Sequence, residues 1–231
     1  MSAKDDILAR VREALRVPAP RPGDHGDGAT AHADTPPSHK AREYLPPAAE
    51  SFDEQVAQFS ANATALRAGF HVCNGQDELL RRLTELRDAE SWKRVASHAS
   101  SLTDAACAAL RLPVLKTDAG YDVHALETCD VGITGCDALV AQTGSVLVTT
   151  RSAGGRALSI LPPHHVVLAR KDQLVRDLPA AFELLKRNYG SDYPSMISFI
   201  TGPSRTGDIE RILVLGAHDN RKFVGFPFQF E

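Results

Sequence analysis

The chain has 231 residues, enough for one α/β domain with a substantial core and too many for a disulfide-stapled mini-protein. Hydrophobic residues make up 43% and charged residues 24%, a globular balance that excludes wholesale disorder. Lys and Arg number 26 against 29 Asp and Glu, and the net charge of −3 argues against nucleic acid or an anionic membrane as the main partner.

Along the chain, residues 3–16 carry Ile7, Leu8, Val11 and Leu15 at helical spacing behind a cap at Ser2, so an amphipathic helix is expected over 1–17. The opening Met1-Ser2-Ala3-Lys4-Asp5-Asp6 meets charge at once and does not read as a signal peptide. The longest apolar runs are strand-sized, far short of the ~20 residues of a membrane span. A cytoplasmic protein without a membrane span is therefore expected. From Pro18 to Glu43 there is no Val, Ile, Leu, Met, Phe, Trp, Tyr or Cys, while Pro18, Pro20, Pro22, Pro36 and Pro37 all fall there. Such a stretch buries too little apolar surface to offset its chain entropy, so a disordered linker is expected over 18–49, with proteolysis cutting there first. The helix ahead of it either packs on its own domain or lays its apolar stripe on a partner subunit.

The domain is expected over 50–231. It opens with the capping box Ser51-Phe52-Asp53-Glu54, followed by Phe52, Val56, Phe59, Ala63 and Leu66 at helical steps and Gly69 as the stop. A second helix is read over 77–87, a short strand over 93–97, and a helix over 101–110 capped by Ser101 with Asp104 three residues on. Strands follow at 131–134, 146–150, 166–169, 196–201 and 212–215, with one helix over 179–188. Strands apolar on both faces and interleaved with helices indicate a sheet covered on both sides. Pro227 makes residues 222–230 an edge strand or tail.

Cys73, Cys107, Cys129 and Cys136 are separated by 34, 22 and 7 residues, which matches no zinc ribbon or ferredoxin run. They read as small core residues, and the purified chain is expected to be colourless and free of iron. Asp130, Asp137, His165, Asp208 and His218 are too scattered for a metal site, so none is expected.

Ligands of such sheets bind where strands end in glycine-rich loops. Three loops qualify: 132–137 with 141–145, then 149–156, then 201–208. The first offers Thr134, Thr143, Gly144 and Ser145. The second sets Gly154 and Gly155 between Arg151 and Arg156, a composition suited to a small anion. The third offers Ser204, Arg205 and Thr206 but lacks the Walker lysine. His165, at a strand entry, is a candidate proton-transfer group or ligand contact, or else a capping histidine. The expected ligand-binding set is Thr134, Thr143, Gly144, Ser145, Gly155, Arg156, His165, Ser204, Arg205 and Thr206. If the sheet brings the second and third loops to one edge, Arg156 and Arg205 share a pocket; otherwise each arginine only pairs locally, Arg205 with Asp208 for instance. No serine-hydrolase elbow or dinucleotide fingerprint is present.

Asp130-Val131-Gly132-Ile133-Thr134-Gly135-Cys136-Asp137-Ala138, Gln142-Thr143-Gly144-Ser145, Leu161-Pro162-Pro163-His164-His165 and Gly202-Pro203-Ser204-Arg205-Thr206-Gly207-Asp208-Ile209-Glu210 together resemble the lactate-utilisation protein C family, also called the LUD domain. The resemblance runs from about residue 50 to about residue 220. It implies a three-layer α/β/α fold similar to the sugar-phosphate isomerase and coenzyme A transferase group. It also implies a part in oxidising L-lactate to pyruvate beside two separate subunits, at least one carrying iron–sulfur clusters. Gln142 stands where family members often carry an acid, and an amide cannot form an acyl-enzyme, so covalent transferase chemistry through that position is not expected. His218-Asp219-Asn220 also departs from the His-Gly-Pro that the family tends to carry there.

The leading reading is a component of an L-lactate utilisation system that binds a small anion, holds no cofactor itself and docks on iron–sulfur partner subunits. The alternative is a free-standing enzyme on a small phosphorylated or carboxylated metabolite, and a third reading is a regulatory binding module. Neighbouring genes for cysteine-rich proteins would favour the first, and turnover by the single chain the second.

Overall fold

The computed structural model describes residues 9–10, 12–13, 45–203, 205–206, 214–215 and 222–228, with side chains through Pro203. Two units divide between Tyr44 and Leu45. In the first, residues 9–10 and 12–13 have helical backbone. The rest of the expected helix and residues 18–44 of the expected linker lie outside the described residues. Residues 45–49 were expected in that linker too, yet they are held on the domain: Gln58 Nε2 donates to Pro47 O, Gln142 Nε2 to Pro46 O, and Ala49 N to Gln58 Oε1.

Helix α1 (Phe52–Ala65) begins at the expected capping box, with Glu54 N donating to Ser51 Oγ and Ser51 N to Glu54 Oε2. It ends before the expected glycine. Arg67 takes the left-handed conformation (φ 61°), and Gly69 instead opens strand β1 (Gly69–Phe70). Then come α2 (Gln76–Glu90), β2 (Val95–Ser97), α3 (Ser101–Leu110), β3 (Val114–Lys116), α4 (Val123–Glu127) and β4 (Val131–Thr134). Strands β5 (Ala138–Val140) and β6 (Ser145–Thr149) form a hairpin, followed by β7 (His164–Arg170), β8 (Leu174–Val175) and α5 (Leu178–Tyr189). The chain closes with β9 (Ile197–Ile200), β10 (Arg205–Thr206), β11 (Val214–Leu215) and β12 (Lys222–Phe228).

Ser100, rather than Ser101, caps α3, because its extended backbone lets its hydroxyl accept from Thr103 N, while Asp104 turns to Lys116. Ser100→Ala is therefore expected to lower stability by about 1 kcal/mol and Ser101→Ala by no more than a few tenths, read from urea midpoints. The reverse order would return the cap to Ser101.

A six-stranded parallel sheet runs in the order β1-β12-β7-β4-β2-β3. One face packs Val95, Val131, Ile133, Val166 and Leu168 against Leu79 and Leu83 of α2 and Ala106, Cys107 and Leu110 of α3. On the other face, Ala96 and Leu115 meet Leu126 and Leu158, while Val167 and Ala169 meet Phe59 of α1 and Leu139, Val146 and Val148 of a second sheet. The main sheet is thus the middle of three layers, α/β/α, covered on both faces as its apolar strands require. The second sheet, ordered β8-β5-β6-β9, belongs to the third layer and carries Ala181, Leu184 and Leu185 of α5 against its far side.

Strand β12 corrects the expected edge or tail. It lies inside the sheet, paired in parallel with β7 over its whole length and with β1 at Val224 and Gly225. Pro227 is tolerated because it lies two residues past the last β1 partner, where β12 has a neighbour on one side only.

Candidate functional site at the carboxyl edge of the main sheet

From β2 the chain steps outward through α3 to β3, then returns across β2 through α4 to β4, with α3 and α4 on opposite faces. The strand order therefore reverses between β2 and β4, and their carboxyl ends flank the crevice where such sheets take ligands. His98 follows β2 directly, Thr117 follows β3, and Gly135-Cys136-Asp137 follow β4.

The glycine loop after β6, residues 150–156, folds over these ends. Gly154 lies so close that a Cβ there would sit 2.3 Å from His98 Cβ and 3.1 Å from Thr117 Oγ1. Thr117 Oγ1 donates to Gly154 O (3.1 Å), and the Gly135 N–H donates to His98 Nε2 (3.1 Å). Burial lowers the pKa of His98, so its ring stays neutral and keeps Nε2 as the acceptor Gly135 needs. Gly154 (φ 64°) and Gly155 (φ 106°) both need positive φ for this turn.

The base of the loop is tied to α5. Thr149 Oγ1 accepts from the N–H groups of Arg151 and Ser152 and lies 3.1 Å from the Tyr189 hydroxyl. Tyr189 donates to Asp137 Oδ1 at 2.5 Å. Burial and the adjoining Asp137 carboxylate both raise the Tyr189 pKa, so its hydroxyl keeps the donated proton. Arg151 pairs with Asp192 (2.6 Å) and stacks over the Tyr189 ring. Arg156 is exposed at the far end of the loop.

The expected ligand-binding residues separate into three places. Gly155 and Arg156 lie on the loop at this edge. Thr134 and His165 are both fully buried within the sheet face, with Thr134 Oγ1 2.9 Å from His165 Nε2. Burial pushes the His165 pKa down to about 3, so the imidazole there is neutral. Thr143, Gly144 and Ser145 lie at the other end of β6, where Ser145 Oγ bridges Thr143 Oγ1 and Thr201 Oγ1 at 2.8 Å each. Gly144 (φ 68°) packs against α1, and Asn62 Nδ2 donates to the carbonyls of Ala141 and Gln142. That turn bolts the second sheet to α1. Ser204 and the side chains of Arg205 and Thr206 lie outside the described residues, as does the alternative pairing of Arg205 with Asp208.

The antiparallel pairing of β6 with β9 overturns the shared pocket expected for Arg156 and Arg205. Val146 faces Ile200 and Thr149 faces Ile197, so the loop after β6 and the loop after β9 leave opposite ends of the second sheet, about 10 Å apart along the strand.

Sequence reasoning passed over His98, Thr117 and Tyr189. His98 carried a signal, since a polar residue directly after a short apolar strand sits at a sheet's carboxyl edge. Tyr189 carried none, because its partner Asp137 is 52 residues away. The four cysteines are buried and free, Cys73 and Cys107 in one apolar cluster, Cys136 in a second and Cys129 in a third. Among the described residues no group of three or more His, Cys, Asp or Glu is placed to hold a metal ion, and no helix is long and apolar enough to cross a membrane.

Residues 56–224 match the family model of the LUD domain. The chain is similar to lactate utilization protein C of Shouchella clausii, 35% identical over 102 residues, 44% of each protein. It is 40% identical over 98 residues to lactate utilization protein C of Halalkalibacterium halodurans, covering 42% of this chain and 43% of that one. The protein of that name from Bacillus subtilis is 33% identical over 111 residues, 46% of each. The chain thus spans under half the length of the curated relatives it matches. Its fold is also that of a crystallised DUF162 family protein from Deinococcus radiodurans, with a TM-score of 0.61 at 20% identity, covering 78% of this chain and 99% of that one.

Proposed function

Since this chain belongs to the LUD-domain family, we propose that it serves in L-lactate utilisation, as a cytoplasmic component that binds a small anion and works with iron–sulfur partner subunits. The observation that carries this reading is the similarity to proteins named lactate utilization protein C. The carboxyl-edge loop supports the anionic ligand. The Cβ position of Gly155 has open space around it, and Arg156 is exposed beside it with no ion-pair partner among the described residues. Iron–sulfur chemistry is assigned to partners because the cysteines here are core residues in three separate clusters. Lactate oxidation to pyruvate releases two electrons, which such partners would carry.

Deleting the gene is expected to abolish growth on L-lactate and spare growth on glucose. The wild-type chain should restore it, and Arg156→Ala should restore it poorly while melting at the wild-type temperature, since an exposed arginine adds little to stability. Unimpaired growth of the deletion strain on L-lactate would overturn the role in utilisation. Full rescue by Arg156→Ala would remove Arg156 from the site.

A further inference from the structure

Strand β9 ends the second sheet, pairing with β6 on one side and with no described strand on the other. The antiparallel ladder sets which of its backbone groups are left over. Thr150 N–H donates to Met196 O, whereas Leu147 O turns the other way, to the Asp137 N–H just before β5. Bonds alternate along such a ladder, so Ser198 and Ile200 bond to β6, while Ile197 and Phe199 direct their N–H and C=O groups outward.

The other outer strands of the two larger sheets are guarded. Strands β1 and β8 are two residues each, and β3 ends in Lys116. Strand β9 runs four residues, Ile197-Ser198-Phe199-Ile200, with no charge and no proline. Its flank is apolar as well. Ile197 is 38% exposed, and Phe182 of α5 meets the Phe199 ring (centroids 5.5 Å apart) while staying 57% exposed. Folded proteins cover an unguarded edge with an apolar flank, because it would otherwise template uncontrolled pairing.

We propose that β9 pairs antiparallel with β9 of a second copy about a two-fold axis at Ser198, joining the two four-stranded sheets into one. The occupant is a second copy because this edge complements itself. With Ser198 opposite Ser198, Ile197 of each copy faces Phe199 of the other, and every outward N–H and C=O of these residues gains a partner. The same axis runs the two α5 helices antiparallel, with the exposed Phe182 rings flanking it on the α5 face. Charge matches too. Exposed Glu183 and Lys186 lie one turn apart, so reversing the helix sets each toward the opposite sign.

The test is sedimentation of the full chain, with a cysteine cross-link as a second readout. At tens of micromolar the wild type is expected to have twice the mass of one chain. Phe182→Asp, a change at an exposed position, should keep the circular dichroism spectrum and weaken the dimer roughly tenfold or more. Ser198→Cys should form a disulfide-linked dimer on mild oxidation, because facing residues of a non-hydrogen-bonded antiparallel pair lie within disulfide reach. The native cysteines are buried and do not compete. Ser195→Cys, three residues from the axis, should not cross-link. A monomeric wild type at that concentration would overturn the inference and leave the edge to an unlike partner. A dimer that survives Phe182→Asp and fails to cross-link through Ser198→Cys would lie elsewhere on the surface and overturn it too.

Discussion

Stability is expected to fall steeply on acidification between pH 6.5 and 4.5, with His165 as the main cause. The unfolded chain takes up a proton at this imidazole near pH 6.5, whereas the folded chain resists it until about pH 3 because the ring is fully buried. Protons therefore favour the unfolded state throughout that interval. The stabilisation is complete above pH 6.5 and is lost as the pH falls toward the folded value. By pH 4.5 the loss from this one residue is roughly 2–3 kcal/mol, a large share of a typical domain's stability. His98 is shifted in the same direction by burial and adds to the slope. Carboxylates with lowered pKa values, such as Glu54 and Glu78, titrate lower and are common to any variant. Comparing urea midpoints of the wild type and His165→Gln at pH 7.0 and 4.5 isolates the effect. His165→Gln should be less stable at neutral pH, where it disturbs the contact with Thr134, and should lose roughly 2–3 kcal/mol less on acidification. Equal losses in the two proteins would show that His165 is not the buried base described here.

Much of the fold is written in local chemistry. The Ser51 box, the periodicity of α1 and α5 and the apolar strands of the main sheet all depend on neighbours within four residues or on burial of whole segments. The motif 130–137 is legible for a different reason, because much of it is structural. Asp130 Oδ2 accepts from the N–H groups of Lys93 and Arg94, which ties β2 to β4. Gly132 has no room for a Cβ, which would lie 2.3 Å from Leu158 O. What stayed hidden depends on long-range pairing. Nothing local says that β9 runs antiparallel to β6, yet that choice alone sends the two arginine loops to opposite ends. Nothing near Pro227 says that β1 is only two residues long, which is what lets β12 lie inside the sheet. The 142–145 motif reads as a binding loop, but Gln142 and Gly144 are spent on packing against α1 and residues 46–47.

Gly154→Ala should be among the most damaging single-atom additions in the chain, and Gly155→Ala, one residue on, should be much milder. Both glycines have positive φ, so either alanine loses backbone preference by about 1–2 kcal/mol. They differ in what the new methyl meets. At Gly155 nothing lies within 4 Å. At Gly154 the methyl would sit 2.3 Å from His98 Cβ and 2.9 Å from His98 Cγ. His98 has no room to retreat, since it is 5% exposed and its Nε2 holds the Gly135 N–H. The loop must lift instead, breaking the bond from Thr117 to the Gly154 carbonyl and adding roughly 1–3 kcal/mol of overpacking cost. Urea midpoints should therefore place Gly154→Ala at least about 1 kcal/mol below Gly155→Ala. Trypsin offers a second readout, because exposed Arg151 and Arg156 flank the turn. Cleavage at these arginines should quicken in Gly154→Ala under native conditions and change little in Gly155→Ala. Similar stability losses and similar cleavage in the two variants would mean that the loop does not rest on His98, and the crevice between β2 and β4 would then be open without it.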